Sequence, residues 1–150
     1  MYYPYKENVF IGKMGEEYGW GRCSMNGDRI CYPLTYPQMS IWYLEKLNPG
    51  TGIGNIAATM KIDESLDYDL MNQGVNLLLQ KNDGFRLRIM EQDCQPRQYL
   101  TEYKPYQMDY FDFSKDDRER LYSWDQEQTR IPFGLIDSDL FYFALIKIDE

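Results

Sequence analysis

The sequence contains no histidine. This absence removes the commonest general base, every Ser-His or Cys-His catalytic pair and most zinc sites. The chain has 24 carboxylates, but no spacing singles out two of them as an acid and base pair. We therefore expect no catalytic residue and no metal site in this chain, so that the chemistry of any enzyme containing it would lie outside these residues.

Other features are also scarce. Three cysteines, Cys23, Cys31 and Cys94, form no CxxC pair, and the N-terminus lacks the basic-then-apolar pattern of a signal peptide, which together favour a reducing cytoplasm. No apolar run reaches the roughly 18 residues of a membrane span. Only 16 basic residues oppose the 24 acidic ones, and a net charge of −8 argues against a nucleic-acid partner.

The length and composition are those of one folded domain or one lobe. A chain of 150 residues with 43% hydrophobic residues can bury roughly two thirds of the surface that its unfolded form exposes. Residues 1–31 are rich in tyrosine and glycine, which favours an irregular leader, packed on the surface or serving as a docking segment. Residues 32–150 are expected to form the structured lobe.

The stretch from Thr35 to Leu47 predicts a short amphipathic helix. Thr35 followed by Gln38 is a capping-box start, and Pro37 is harmless in a first turn. Taken alone, the pattern is that of a core helix. The apolar face comprises Ile41, Trp42, Leu44 and Leu47.

Two further helices follow from local signals. Asp67 caps a helix that runs to about Lys81, and its apolar face is expected to be buried. Ser114 and Asp117 resemble a second capping box, for a helix reaching about Arg130. The face of the first contains Leu70, Gly74, Leu77 and Leu78, and the second turns Leu121 and Trp124 inward.

Six segments have the pattern of strands. Alternation in the segment 85–89 places Arg86 and Arg88 opposite Phe85, on a face that patterning favours as solvated. The apolar segment 140–148 is expected to be a central strand covered on both faces, with the fold continuing beyond Glu150. The glycine-rich loop 48–55 is expected to be a turn, although such loops can cradle phosphate elsewhere. The six segments are 29–34, 55–62, 85–89, 95–100, 107–111 and 140–148.

Three of these stretches resemble the condensation domains of nonribosomal peptide synthetases. The first family motif, SxAQxR(L/M)(W/Y)xL, matches residues 35–44 at Gln38, Trp42 and Leu44, with Thr35 for serine and Ser40 for arginine. The second motif, RHExLRTxF, resembles residues 81–89, where Arg86 is identical.

The third stretch, PF followed by DLFYFALIKI, is similar to the segment that precedes the catalytic motif in that family. The similarity runs from about Tyr32 to Glu150, and it is greatest to the starter condensation domains that head lipopeptide synthetases. A Met1 only about thirty residues upstream suits such a position.

The resemblance implies an α/β (α+β) fold, one lobe of a chloramphenicol-acetyltransferase-like two-lobe structure with helices packed on a mixed sheet. It implies amide formation between an acyl donor, a fatty acyl-CoA in starter domains, and an amine held as a thioester on the phosphopantetheine arm of a peptidyl carrier protein. The catalytic HHxxxDG motif would lie in the continuation of the chain, together with the C-terminal lobe. Arg86 would pair with the aspartate of that motif and hold the active-site loop.

Two alternatives stay open from the residues. The chain could be a stand-alone binding module for a carrier protein or an acyl chain, with the 140–148 strand covered by a second copy. It could also be an unrelated α/β domain, because Ser40 and the residues around Arg86 depart from the motifs.

Overall fold

The computed structural model describes residues 22–24, 28–115 and 118–148. Within these residues the fold consists of three α-helices, one 3₁₀ turn and six short strands. The helices are α1 (Tyr36–Leu47), α2 (Tyr68–Lys81) and α3 (Arg118–Arg130). The strands are β1 (Arg22–Ser24), β2 (Asp28–Pro33), β3 (Leu87–Gln92), β4 (Gln95–Leu100), β5 (Asp109–Asp112) and β6 (Ala144–Lys147). Among the helices so described, none is long and apolar enough to cross a membrane.

The strands form two sheets. Four antiparallel strands lie in the order β1-β2-β4-β3, and β5 pairs with β6 in parallel. Asp93 and Cys94 both have positive φ, 52° and 61°, which is the conformation of a two-residue hairpin turn between β3 and β4. The 95–100 strand and its hairpin are therefore confirmed, as is the α+β class, with helices beside one antiparallel and one parallel sheet.

Helix α1 begins as its sequence predicts. The Thr35 backbone N–H donates to the Gln38 side chain at 2.8 Å, and the Gln38 N–H donates back to the Thr35 hydroxyl at 3.5 Å. The core-helix interpretation of this pattern holds only at one residue, because Trp42 alone is buried in α1 while Leu47 is 80% exposed. Within the described residues, α1 is covered along a narrow line only.

Helix α2 is capped by Asp67, whose carboxylate accepts the Leu70 N–H at 2.9 Å. The expectation that its leucine face is buried is also wrong, since Leu70 is 66% exposed and Leu77 is 55% exposed. The inward face is instead one that carries Leu79, which is buried, and two asparagines. The helix turns these polar side chains inward because it lies beside an extended segment of the same chain. The backbone groups of that segment need hydrogen-bond partners.

The two asparagines of α2, Asn72 and Asn76, form hydrogen bonds with that extended segment, residues 103–108. The Asn76 amide donates to the Tyr106 carbonyl at 2.7 Å and accepts the Tyr106 N–H at 2.8 Å. The Tyr103 hydroxyl donates to the same Asn76 oxygen at 2.7 Å, and the Met108 N–H donates to Asn72 at 2.9 Å. These side chains satisfy backbone groups that would otherwise need a neighbouring strand.

Asn76→Ala is expected to lower the free energy of unfolding by about 1–3 kcal/mol, because it leaves half-buried polar groups of Tyr103 and Tyr106 without partners. Equilibrium urea denaturation measures the change. Gln73→Ala, at an exposed position of the same helix, is the matched control and should change stability little. Equal losses for the two variants would contradict the role given to Asn76.

Two predicted strands are not formed as expected. Residues 55–62 pair with no strand among the described residues, and Ile56 is 94% exposed. In the 140–148 segment the strand Ala144–Lys147 is shorter than expected, and within the described residues it pairs with β5 along one edge, so the expectation of a central strand covered on both faces is not met by these residues alone. Both segments have the apolar content of strands, but a strand also needs neighbours to bond its backbone.

Two other expectations concern segments that lie partly outside the described residues. Asp117 is outside them, so the capping box at Ser114 stays a prediction, although α3 forms and Trp124 packs against Phe111 and Phe113 at ring distances of 4.8 and 5.6 Å. Most of the 1–31 leader also lies outside. Its described part contains β1 and the start of β2, so the boundary drawn at residue 31 falls inside a strand.

Candidate functional site

Arg86 ends a 3₁₀ turn, Asp83–Arg86, rather than lying in a strand. The expected alternation of Phe85 with the arginines is therefore wrong, because β3 begins only at Leu87. The turn keeps Arg86 close to Asp83, and the two form an ion pair. The Arg86 side chain is only 20% exposed, so the solvated face favoured by patterning is also wrong.

The Arg86 side chain is incompletely satisfied. Its Nε atom is buried and has no hydrogen-bond partner within the part of the chain that the structure describes. A buried N–H of a charged group without an acceptor is costly. The ion pair of this side chain joins Nη2 to Asp83, whose carboxylate is 69% exposed. Within the described residues, the structure therefore gives Arg86 one carboxylate, Asp83, and leaves its Nε without an acceptor.

The Arg88 guanidinium has other hydrogen-bond and ion-pair partners than that of Arg86. Its Nη1 donates to the carbonyls of Phe85 at 3.2 Å and Leu87 at 3.0 Å, and its Nη2 forms an ion pair with Asp139. At 14% side-chain exposure, it is slightly more buried than Arg86. Although the two arginines are only two residues apart, they hold different carboxylates.

The position of Asp139 follows from the segment that leads to it. The Asp137 N–H donates to the Ile89 carbonyl at 2.8 Å, beside an isolated bridge between Ile89 and Ile136. The Tyr99 hydroxyl donates to the Asp137 carboxylate at 2.8 Å. These contacts join the chain after α3 to β3 and β4, and they place Asp139 beside Arg88.

The two arginines, Asp137 and Asp139 line a cavity of about 250 Å³. The cavity lies at the open end of the β3–β4 hairpin, away from its turn. Tyr106 forms part of its wall, and burial raises the pKa of the Tyr106 phenol, as do the charges of Asp109 and Asp139. The phenol hydroxyl donates to the Phe143 carbonyl at 3.3 Å. The charged side chains in the wall are Arg86, Arg88, Glu102, Lys104, Asp137 and Asp139.

The residues of the first motif lie elsewhere, since none of them lines this cavity. The Gln38 amide donates to Gln98 of β4 at 2.8 Å, and the Gln98 amide donates to the Pro33 carbonyl at 3.0 Å, so this motif glutamine joins α1 to the sheet. Trp42 is buried, Leu44 is 40% exposed, and Thr35 is the cap. These positions cap helix α1 and join it to the sheet.

Sequence reasoning missed Asp139, Asp137 and Tyr99 as neighbours of the arginines. Asp137 has a positive φ of 53°, a conformation for which aspartate is enriched, but the sequence shows no partner for it. The pairing of residues about fifty positions apart follows from the packing of the 134–141 segment on β3.

Comparison with known proteins decides the family. Residues 29–150 match the condensation domain family. This chain belongs to that family. A plipastatin synthase subunit of Bacillus subtilis (strain 168) is 37% identical over 120 residues, and surfactin synthase subunit 1 of the same organism is 38% identical over 124 residues. Each alignment covers 79% of this chain but only 5% and 4% of those two proteins.

Solved condensation domains share the fold. A mutant of the starter condensation domain of rhizomide synthetase in complex with C8-CoA matches with a TM-score of 0.72 at 22% identity, covering 79% of this chain and 28% of that one. The first condensation domain of the calcium-dependent antibiotic synthetase, in complex with a substrate analogue, matches with a TM-score of 0.73 at 18% identity. That match covers 80% of this chain and 30% of the other. This condensation-family chain therefore corresponds to less than a third of each solved chain.

Proposed function

We propose that this chain is the N-terminal lobe of a condensation domain in a cytoplasmic nonribosomal peptide synthetase, inactive without a C-terminal lobe. The observation that carries the proposal is the match of residues 29–150 to the condensation domain family, with less than a third of each solved condensation domain covered. In this proposal Arg86, in the wall of a charged cavity, binds a carboxylate that the rest of the domain supplies. The free thiols of Cys31 and Cys94 are compatible with a reducing compartment.

The proposed reaction is amide formation. The amine of a carrier-bound aminoacyl thioester attacks the carbonyl carbon of an acyl thioester, the C–N bond forms, the C–S bond breaks, and the thiol leaves with a proton. This chain has no histidine, so we assign the residue that promotes attack to the continuation of the domain. The role of this lobe is to form one wall of a catalytic channel between the two lobes and to bind the active-site loop through Arg86.

The proposed acyl donor is a fatty acyl-CoA, or an acyl group carried on phosphopantetheine. The rhizomide relative holds C8-CoA in its crystal structure, and plipastatin synthase and surfactin synthase are the more similar relatives. These similarities support a starter domain in lipopeptide and antibiotic biosynthesis. The proposed partners are a peptidyl carrier protein and the second lobe of the same domain.

The experiment is to read the source gene beyond the codon for Glu150 and to assay the encoded domain. An HHxxxDG-type stretch within about twenty residues, the distance of one strand and a short loop, is expected. The domain should then join a fatty acyl-CoA to an aminoacyl carrier protein. A stop codon at that place would overturn the proposal and favour the stand-alone binding module, which a carrier-protein binding assay would then test.

A further inference from the structure

We propose that Asn55 is a positioning residue for the cavity wall, because it fixes the start of the segment that carries Asp137 and Asp139. This segment, residues 131–139, follows directly on α3. Asn55 is the last residue of the glycine-rich loop, residues 48–55, and no residue of that loop lines the cavity. The role of Asn55 is therefore indirect, since it acts through the segment that it holds.

The side-chain amide of Asn55 closes the end of α3. It donates one hydrogen bond to the Thr129 carbonyl at 3.0 Å and one to the Ile131 carbonyl at 2.8 Å. The last carbonyl groups of an α-helix have no partner within the helix, so these bonds satisfy groups that the helix leaves open. An amide side chain has two N–H donors, and both are used here. Because Ile131 begins the 131–139 segment, the second bond fixes where that segment leaves the helix.

Gly52 allows the loop to approach α3 closely enough for these bonds. It is buried and has a positive φ of 59°, a conformation that favours glycine. A Cβ atom at this position would lie 3.0 Å from the Arg130 carbonyl oxygen and 2.8 Å from the Asn55 amide nitrogen. A side chain at residue 52 would therefore push the loop away from the end of α3.

The other side of the loop is fixed on α1. The Gly54 N–H donates to the Glu45 carboxylate at 2.5 Å, and a Cβ atom on Gly54 would lie 3.2 Å from the Ile41 side chain. The carboxylate occupies this N–H and would repel a phosphate, because like charges repel. The loop therefore links the ends of two helices, and glycine stands where its backbone approaches them most closely.

The 131–139 segment is held a second time at Asp137. The Asp137 N–H donates to the Ile89 carbonyl at 2.8 Å, and the Tyr99 hydroxyl donates to the Asp137 carboxylate at 2.8 Å. Strands β3 and β4 thus hold the middle of the segment, whereas Asn55 holds its start. A segment that is bonded at both places has less freedom to move than one bonded at Asp137 alone.

Pro132 connects the two points of attachment. A proline fixes its own φ and restricts the residue before it to extended backbone, so Ile131 and Pro132 form a stiff pair. A movement of Ile131 is therefore passed along the segment towards Asp137 and is not absorbed between these two residues. Loss of the Asn55 bonds should consequently loosen the bond between Asp137 and β3.

The test is amide hydrogen exchange in the 150-residue chain, followed residue by residue by NMR. Asn55→Asp keeps the shape of the side chain but removes both N–H donors. The exchange rate of the Asp137 N–H is expected to rise about tenfold, the factor that corresponds to the net stabilisation by one or two hydrogen bonds. The N–H groups of Gln92 and Gln95, at the turn of the β3–β4 hairpin, should exchange at their original rates.

Two glycine variants form a matched pair. Gly52→Ala should reproduce the effect of Asn55→Asp, because its Cβ atom displaces the loop from α3. Gly50→Ala places alanine at a similar positive φ of 76°, but no atom lies within 4 Å of its Cβ atom. The two variants thus share the backbone strain and differ in the contact with α3. Only Gly52→Ala should speed the exchange of Asp137.

Selective exchange separates this role from a general loss of stability. A merely structural role would speed exchange equally at Asp137 and at the hairpin turn, and this result would overturn the inference. An unchanged Asp137 rate in Asn55→Asp would also overturn it, as would equal increases in Gly50→Ala and Gly52→Ala. If Asn55→Asp does not fold, Asn55→Ser, which keeps one donor, replaces it with a smaller increase expected.

The consequence for catalysis rests on the proposed function, and the two can fail separately. In the complete condensation domain, Asn55→Asp should lower the rate of amide formation about tenfold, because displaced groups in the cavity wall no longer hold the reacting geometry. If Asp137 exchange rises and the rate does not fall, the proposed part of the cavity in catalysis is wrong and the positioning by Asn55 stands. If Asp137 exchange does not rise, the positioning is wrong whatever the rate.

Discussion

Trp42→Ala is expected to lower the free energy of unfolding by about 3–5 kcal/mol, the range for removing a buried large aromatic side chain. Trp42 is 4% exposed and is the one residue of α1 that is buried. Its ring also lies 4.6 Å from the Lys46 ammonium, which forms a 3.0 Å ion pair with Glu91 of β3. The substitution therefore removes the main apolar contact of the helix and one face of a cation–π contact.

Equilibrium denaturation monitored by far-ultraviolet circular dichroism measures this effect. The control is Tyr43→Ala, the neighbouring aromatic residue of the same helix, which is 51% exposed and should change stability by less than about 1 kcal/mol. A similar loss for both variants would show that burial on α1 is not concentrated at Trp42.

Arg86→Ala in the complete condensation domain should lower the rate of amide formation by about two to three orders of magnitude. Loss of the residue that binds the active-site loop misplaces the reacting groups, and a misplacement of about 1 Å can cost about 10²-fold in rate. The loss should be greater than that of Arg88→Ala, because Arg88 is already paired with Asp139 within this lobe. Arg86→Lys should recover part of the rate, since lysine keeps the charge but loses the Nε donor.

Single-turnover kinetics with a preloaded carrier protein measures this loss without the delay of product release. Lys81→Ala is the matched control, because Lys81 is a basic residue of the same motif that lies exposed at the end of α2. It should leave the rate within about twofold. Small and equal effects at Arg86 and Arg88 would remove Arg86 from the site.

Much of the fold could be predicted because its signals are local. The caps at Thr35 and Asp67 act within three residues, and so they mark the starts of α1 and α2 correctly. The β3–β4 hairpin brings together neighbouring segments of the chain, so its pairing needs no distant partner. Residues 55–62 have comparable strand character, but strand pairing depends on a partner that a local pattern does not contain.

The inward face of α2 was less predictable, because it also depends on a segment that is distant in the sequence. Asn72 and Asn76 are polar residues on a helix, so patterning would place them in solvent. In the structure they face inward because they form hydrogen bonds with the extended backbone of residues 103–108. The apolar side chains of Leu70 and Leu77, in contrast, remain exposed because nothing within the described residues packs on them.

The sequence by itself determined the family, the starts of α1 and α2 and the hairpin, and it singled out Arg86, because motifs and caps consist of neighbouring residues. It also determined that no histidine acts from this chain. Only the tertiary structure decided how Arg86 and Arg88 differ, since both arise from the same alternating stretch. A short 3₁₀ turn pairs Arg86 with Asp83, and the packing of a segment about fifty residues away gives Asp139 to Arg88. Ion pairing depends on distance in space, which local sequence does not specify.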